Sequence, residues 1–92
     1  MKQIEELIKK GNATVIDVRS PGEFMGGHVA NSINIPLNEI SSRMEELKKY
    51  DNIILCCASG GRSSMAQAIL GNAGIKCFDG GPWTNVNYLI NN

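Results

Sequence analysis

Residues 53–57, IILCC, are five apolar residues in a row with no alternation. A strand with one wet face shows a two-residue period, whereas a strand buried on both faces by helices does not. The run therefore calls for a sheet with helices on either side of it. The remaining segments supply such partners. Ile4, Leu7 and Ile8 recur at helical spacing among charges, and Gly11-Asn12 ends that pattern. Residues 14–18 (TVIDV) form a short β-branched strand that runs into the loop 19–22 (RSPG).

A brief helical turn is expected over residues 24–28, and residues 32–35 (SINI) make a second small strand ended by Pro36. Leu37, Ile40, Met44 and Leu47 lie on one helical stripe with polar residues off it, which predicts a surface helix over a core. After the apolar run, residues 63–73 read as a helix carrying Met65, Ala66, Ala68, Ile69 and Leu70, closed by Gly71, Asn72 and Gly74. Residues 75–78 (IKCF) give a last strand, and residues 83–90 a terminal helix. Strands alternating with helices over short connections predict an α/β fold: a small, mainly parallel sheet flanked by helices on both faces. At 92 residues the chain is expected to be one domain, residues 1–92.

Charge narrows the partners. Nine basic and nine acidic residues sum to zero, with no Lys/Arg run longer than two, so no nucleic acid is expected to bind. The longest apolar run, residues 53–58, is far short of the roughly 20 residues that span a bilayer, and no basic-then-apolar leader opens the chain. The expectation is a soluble, cytoplasmic protein with no membrane partner. Three cysteines, two of them adjacent, do not suit a disulfide framework. Together with the single His28 they lack paired zinc spacing, so no metal is expected. Each thiol is then core filler or a reactive group.

The chemistry concentrates just after the apolar run, in residues 57–63 (CASGGRS). In a sheet of this kind ligands sit beyond the carboxyl ends of strands. Gly60 and Gly61 let the chain curl so that successive amides converge as an anion nest, and the following helix adds its positive end. A thiol on the rim of that cradle is acidified, from a free value near ~8.5 to between about 3.5 and 7.5 in such fields. Cys57 is the last strand residue and opens the ring, whereas Cys56 projects to the other face. Cys57 is therefore the predicted nucleophile and Cys56 a packed neighbour. The alternative is that both are small buried hydrophobes, the usual state of free cysteine.

The chain resembles the rhodanese superfamily of sulfurtransferases. The resemblance runs through Val15-Ile16-Asp17-Val18-Arg19, Glu23-Phe24 with Gly27-His28-Val29, residues 30–36 (ANSINIP), Cys57-Ala58-Ser59-Gly60-Gly61-Arg62-Ser63 and Gly80-Gly81. Each motif is weak alone, but five in the family's order and spacing are specific. The resemblance implies a rhodanese-like three-layer fold with four or five strands. It also implies a sulfurtransferase with no cofactor, in which Cys57 takes one sulfur from a small sulfur-containing anion, such as thiosulfate or a polysulfide, as a persulfide. A thiol or cyanide acceptor, in the cell a small or protein thiol, then removes it. The loop amides from Ala58 to Arg62, with Ser63, would surround the outer sulfur. The two half-reactions make this nucleophilic catalysis with ping-pong kinetics.

Two departures from the family pattern stand out. The chain starts almost at its first helix, which points to four strands rather than five. Trp83 follows Gly80-Gly81-Pro82 directly instead of several residues later, which leaves the terminal helix and one pocket wall open. Cysteine phosphatases are the nearest rival, but their loop has five residues between cysteine and arginine. Here four intervene, a ring sized for sulfur rather than a phosphoryl or arsenate group, and no loop Asp is present to protonate a leaving group. The same motifs also fit a module that relays sulfur to a protein partner and, less well given an intact Cys57 loop, a non-catalytic binding domain.

Supporting residues carry two readings each. Arg62 holds a dianionic donor, or pairs with an acid such as Glu23 and braces the loop. Asp17 is expected to be a hydrogen-bond brace rather than a base, with Arg19 facing the pocket mouth. His28 reads as a hydrogen-bonded structural histidine. Ser59, Ser63 and Ser64 can donate to the loop, with helix capping expected for Ser63. Cys77 is expected to be structural rather than a resolving thiol.

Overall fold

The computed structural model describes residues 2–92. The chain runs α1 (Lys2–Lys10), β1 (Thr14–Asp17), α2 (Pro21–Met25), β2 (Ile33–Asn34), two 3₁₀ turns (Leu37–Glu39 and Ser41–Arg43), α3 (Met44–Leu47), β3 (Ile53–Cys57), α4 (Gly61–Asn72), β4 (Cys77–Pro82) and α5 (Trp83–Asn91). The four strands lie in the order β2-β1-β3-β4, all parallel. Sequence order reverses direction across the sheet between β1 and β3, the position where such sheets open a crevice at their carboxyl ends.

All five residues of β3 are buried, and its pleat divides them between two cores. Ile53, Leu55 and Cys57 pack with Ala66 and Leu70 of α4 and with Ile40 and Leu47. Ile54 and Cys56 pack on the other face with Ile4 of α1, Val86 of α5 and Val29. This explains the unbroken run IILCC: both faces are dry. The architecture is the α/β sandwich expected, with four strands. Among the described residues no helix is long and apolar enough to cross a membrane.

Four elements differ from the sequence expectation. The helical turn expected over residues 24–28 lies over Pro21–Met25 and takes in half of the expected loop, because Ser20 caps it and Pro21 fits its first position. The apolar stripe over residues 37–47 is real, since Leu37, Ile40, Met44 and Leu47 all pack on one core, but it is not one helix. Ser42 donates its hydroxyl to the Glu39 carbonyl at 3.0 Å, so a side chain takes an acceptor that a continuous helix would use, and the segment breaks into two 3₁₀ turns and one α-turn. The last strand starts at Cys77 rather than residue 75, because the Ile75 N–H bonds back to the Leu70 carbonyl at 2.9 Å and belongs to the exit from α4.

That strand then continues through the glycine pair to Pro82, with a register shift against β3 between Leu55 and Cys57. A Cβ on Gly80 would lie 2.7 Å from Val86 Cγ2, 2.9 Å from the Leu55 carbonyl oxygen and 3.0 Å from Ile54 Cγ2. Only glycine lets the backbone pass there. The fourth difference is at α4, which begins at Gly61, two residues before the expected start. Ser63 thus sits in the first turn and is not the cap.

Candidate active site

Cys57 ends β3 and α4 starts four residues later, so the connecting loop is tight. Gly60 closes it at φ +106°, a conformation that side chains resist, and occupies the helix N-cap without any side-chain cap. This conformation turns the chain back on the thiol. The Gly60 N–H donates to Cys57 Sγ at 2.9 Å, and Ser63 Oγ lies 3.4 Å from the same sulfur. The backbone N–H groups of Arg62 and Ser63 also face it. Ser63 is fully buried, and its hydroxyl donates to the Gly60 carbonyl at 3.1 Å.

The electrostatic outcome separates the two neighbouring cysteines. For Cys57, burial pushes the thiol up, but the Ser63 hydroxyl and the N–H groups of Ser63, Gly60 and Arg62 together outweigh it and hold the group below its ordinary value. Cys56 is pushed up to about 12 by burial, with the nearby Asp17 carboxylate adding to it. One thiol is poised to ionise; its neighbour stays neutral. Cys57 itself is 0% exposed, while Ala58, Ser59 and Gly61 form an exposed rim around it. The sulfur thus lies beneath that rim.

Arg62 turns its amide to the sulfur and its guanidinium away. Nη1 and Nη2 donate to Glu23 Oε1 and Oε2 at 2.7 and 2.9 Å, a two-pronged pair across 39 residues of sequence. Glu23 is fixed from below as well: its Oε1 accepts from the Ser20 N–H and hydroxyl, both at 3.0 Å, in a capping box that starts α2. Arg62 first, and then Ser20, hold the Glu23 carboxyl down at about 2. Of the two readings for Arg62, the brace is the one adopted.

Asp17 and Arg19 form a second, buried pair. Asp17 is fully buried and Arg19 is 5% exposed; Nε and Nη2 of the arginine donate to Asp17 at 3.0 and 2.8 Å, and Nη2 also donates to the Gly27 carbonyl at 2.7 Å. The guanidinium stacks on Trp83, 4.9 Å from the ring centroid. Arg19 thus does not face the pocket mouth as expected. The side chain lies inside, because one carboxylate, one carbonyl and an indole face satisfy it better than a rim would. Asp17 pairs in register with Cys56, not Cys57.

The remaining candidates fall outside the ring. His28 is exposed, stacked on Phe24 at 3.8 Å, with Nδ1 2.7 Å from the Phe24 carbonyl. Cys77 lies beside Ile53 at the opposite end of β3, four residues from Cys57 or roughly 13 Å, too far for a disulfide. Two contributors went unread in the sequence. Asn34 ties β2 to the end of β1 by donating to the carbonyls of Asp17 and Arg19, at 3.0 and 2.9 Å, and no pattern announces it. The Ser20–Glu23 capping box has a legible S-x-x-E spacing that would have fixed Glu23 in place.

The chain is similar to known proteins in sequence and in fold. The rhodanese-like domain family matches residues 1–83. A thiosulfate sulfurtransferase of the Arabidopsis thaliana chloroplast is 40% identical over 81 residues, covering 72% of this chain and 68% of that protein. The crystal structure of a rhodanese-related protein from Thermoplasma volcanium superposes with a TM-score of 0.77 at 33% identity, over 95% of this chain and 85% of that one. A rhodanese with anions from E. coli gives 0.72 at 32% identity, over 79% and 89%. The chain spans 54%, 34% and 47% of the length of three further curated relatives, so about half or less of each.

Proposed function

The chain belongs to the rhodanese-like domain family, a family of sulfur transfer, and on that premise we propose that it is a sulfurtransferase carrying sulfane sulfur on Cys57 as a persulfide. The observation that carries the reading is the ring around one sulfur: the Gly60 N–H at 2.9 Å and Ser63 Oγ at 3.4 Å, with the Arg62 and Ser63 amides. These donors favour the thiolate before reaction and an anionic sulfur after it.

In the first half-reaction the Cys57 thiolate attacks the terminal sulfur of the donor. A new S–S bond forms, the donor's bond to that sulfur breaks, and sulfite or a thiolate leaves with the electron pair. In the second, a thiol or cyanide attacks the outer sulfur and Cys57 departs as a thiolate. Both leaving groups are stable anions, so no general acid is demanded, in keeping with a loop that holds no Asp, Glu or His. The Ser63 hydroxyl can donate to the Gly60 carbonyl while Cys57 is a thiol and turn to the sulfur when it ionises.

The four-residue spacing between Cys57 and Arg62, together with the pairing of the Arg62 guanidinium to Glu23, supports sulfur as the guest over a phosphoryl group. A phosphatase needs that guanidinium on the substrate oxygens. The test is stoichiometric discharge. Protein treated with thiosulfate or polysulfide and then freed of donor is expected to give one equivalent of thiocyanate on adding cyanide, and the Cys57→Ser protein none. Equal discharge from both proteins would overturn the assignment.

A further inference from the structure

Neither arginine near the carboxyl ends of β1 and β3 is free to meet a substrate. Arg19 is buried on Asp17, Gly27 and Trp83. Arg62, the one charged residue between Cys57 and Ser63, has both terminal nitrogens on Glu23. Glu23 cannot swing aside cheaply to release it, since the capping box holds the same carboxylate on Ser20. The rim of the ring therefore carries a paired cation and anion rather than a free cation. What faces the sulfur is backbone N–H dipole and one hydroxyl, partial charges suited to a single ionised sulfur.

We infer that Glu23 is a specificity-determining residue. By holding Arg62 and keeping the rim electrically neutral, it selects a donor whose sulfane sulfur arrives with at most one negative charge, an alkyl hydropersulfide, over the dianion thiosulfate. This rests on the Cys57 sulfur-carrier reading and deepens it. With the hydropersulfide, Cys57 thiolate attacks the terminal sulfur of R–S–SH, the new S–S bond forms as R–S leaves as a thiolate with the electron pair, and the proton stays on the transferred sulfur. With thiosulfate the same attack must bring a dianion against a rim whose carboxylate is fixed and whose one arginine among the described residues is already paired.

The experiment measures second-order rate constants for loading Cys57 from thiosulfate and from an alkyl hydropersulfide, and reads their ratio. Glu23→Gln keeps the size of the side chain and an oxygen for Ser20 and Arg62 while removing the charge. The ratio of thiosulfate to hydropersulfide loading is expected to rise roughly fivefold, the scale of one partly screened charge, and the gain is expected to shrink as salt is added. Glu23→Asp, which keeps the charge, is expected to retain the wild-type ratio. An unchanged ratio in Glu23→Gln, or an equal loss with both donors in both variants, would show a brace without a role in selection. Failure of wild-type Cys57 to load from either donor would instead sink the sulfur-carrier reading, and this inference with it.

Discussion

Replacing Ser63 with alanine isolates one contact on the reacting sulfur. The hydroxyl stands 3.4 Å from Cys57 Sγ in a fully buried position. Its other partner loses little, because the Gly60 carbonyl still accepts from the Ser64 N–H at 3.1 Å. The fold should therefore tolerate the change. A hydrogen bond to a charged group is worth about 1.5–3 kcal/mol, and the long distance puts this one at the low end. At 1.36 kcal/mol for each pH unit, ionisation of Cys57 should move up by about one unit. The assay is the rate of iodoacetamide alkylation against pH, with modification mapped to Cys57. In the wild type the midpoint is expected below the ordinary thiol value of about 8.5; in Ser63→Ala it rises, and Ser63→Thr brings it back. A midpoint that does not move in Ser63→Ala would refute the idea that this hydroxyl helps hold the thiolate.

The sheet and the buried pair give two further expectations. Gly80→Ala forces a methyl group against Val86, Ile54 and the Leu55 carbonyl, where the backbone cannot yield, and should destabilise the fold by about 1–3 kcal/mol in urea unfolding. Asp17→Asn leaves the Arg19 guanidinium buried on an uncharged partner and should cost about 3–5 kcal/mol. The same variant should change the Cys57 alkylation midpoint little, since the pair faces Cys56; a large shift there would mean that Asp17 acts on the thiol directly.

Local periodicity made much of this structure legible in the sequence. The non-alternating run IILCC implied a strand between two helix layers, and the two-residue period assigned Cys56 and Cys57 to opposite faces, where the two separate cores hold them. What stayed hidden depends on contacts that cross the chain. The Arg62–Glu23 pair spans 39 residues, and sequence alone left the arginine's two readings level. The strand-end position of Arg19 points to the pocket mouth, but stacking on Trp83, from the far end of the chain, takes the side chain inside. The broken helix over residues 37–47 and the early start of α4 turn on single local bonds, of Ser42 to Glu39 and of a glycine that caps without a side chain. Apolar spacing does not register such bonds.

Transfer of sulfur through Cys57 requires one sulfur atom to be held there, and intact-protein mass spectrometry after treatment with thiosulfate or polysulfide reads it. The wild type and Cys56→Ser should each gain the mass of a single sulfur, lost again on adding a reducing thiol, and Cys57→Ser should gain none. A gain that survives in Cys57→Ser, or that disappears in Cys56→Ser, would contradict the account.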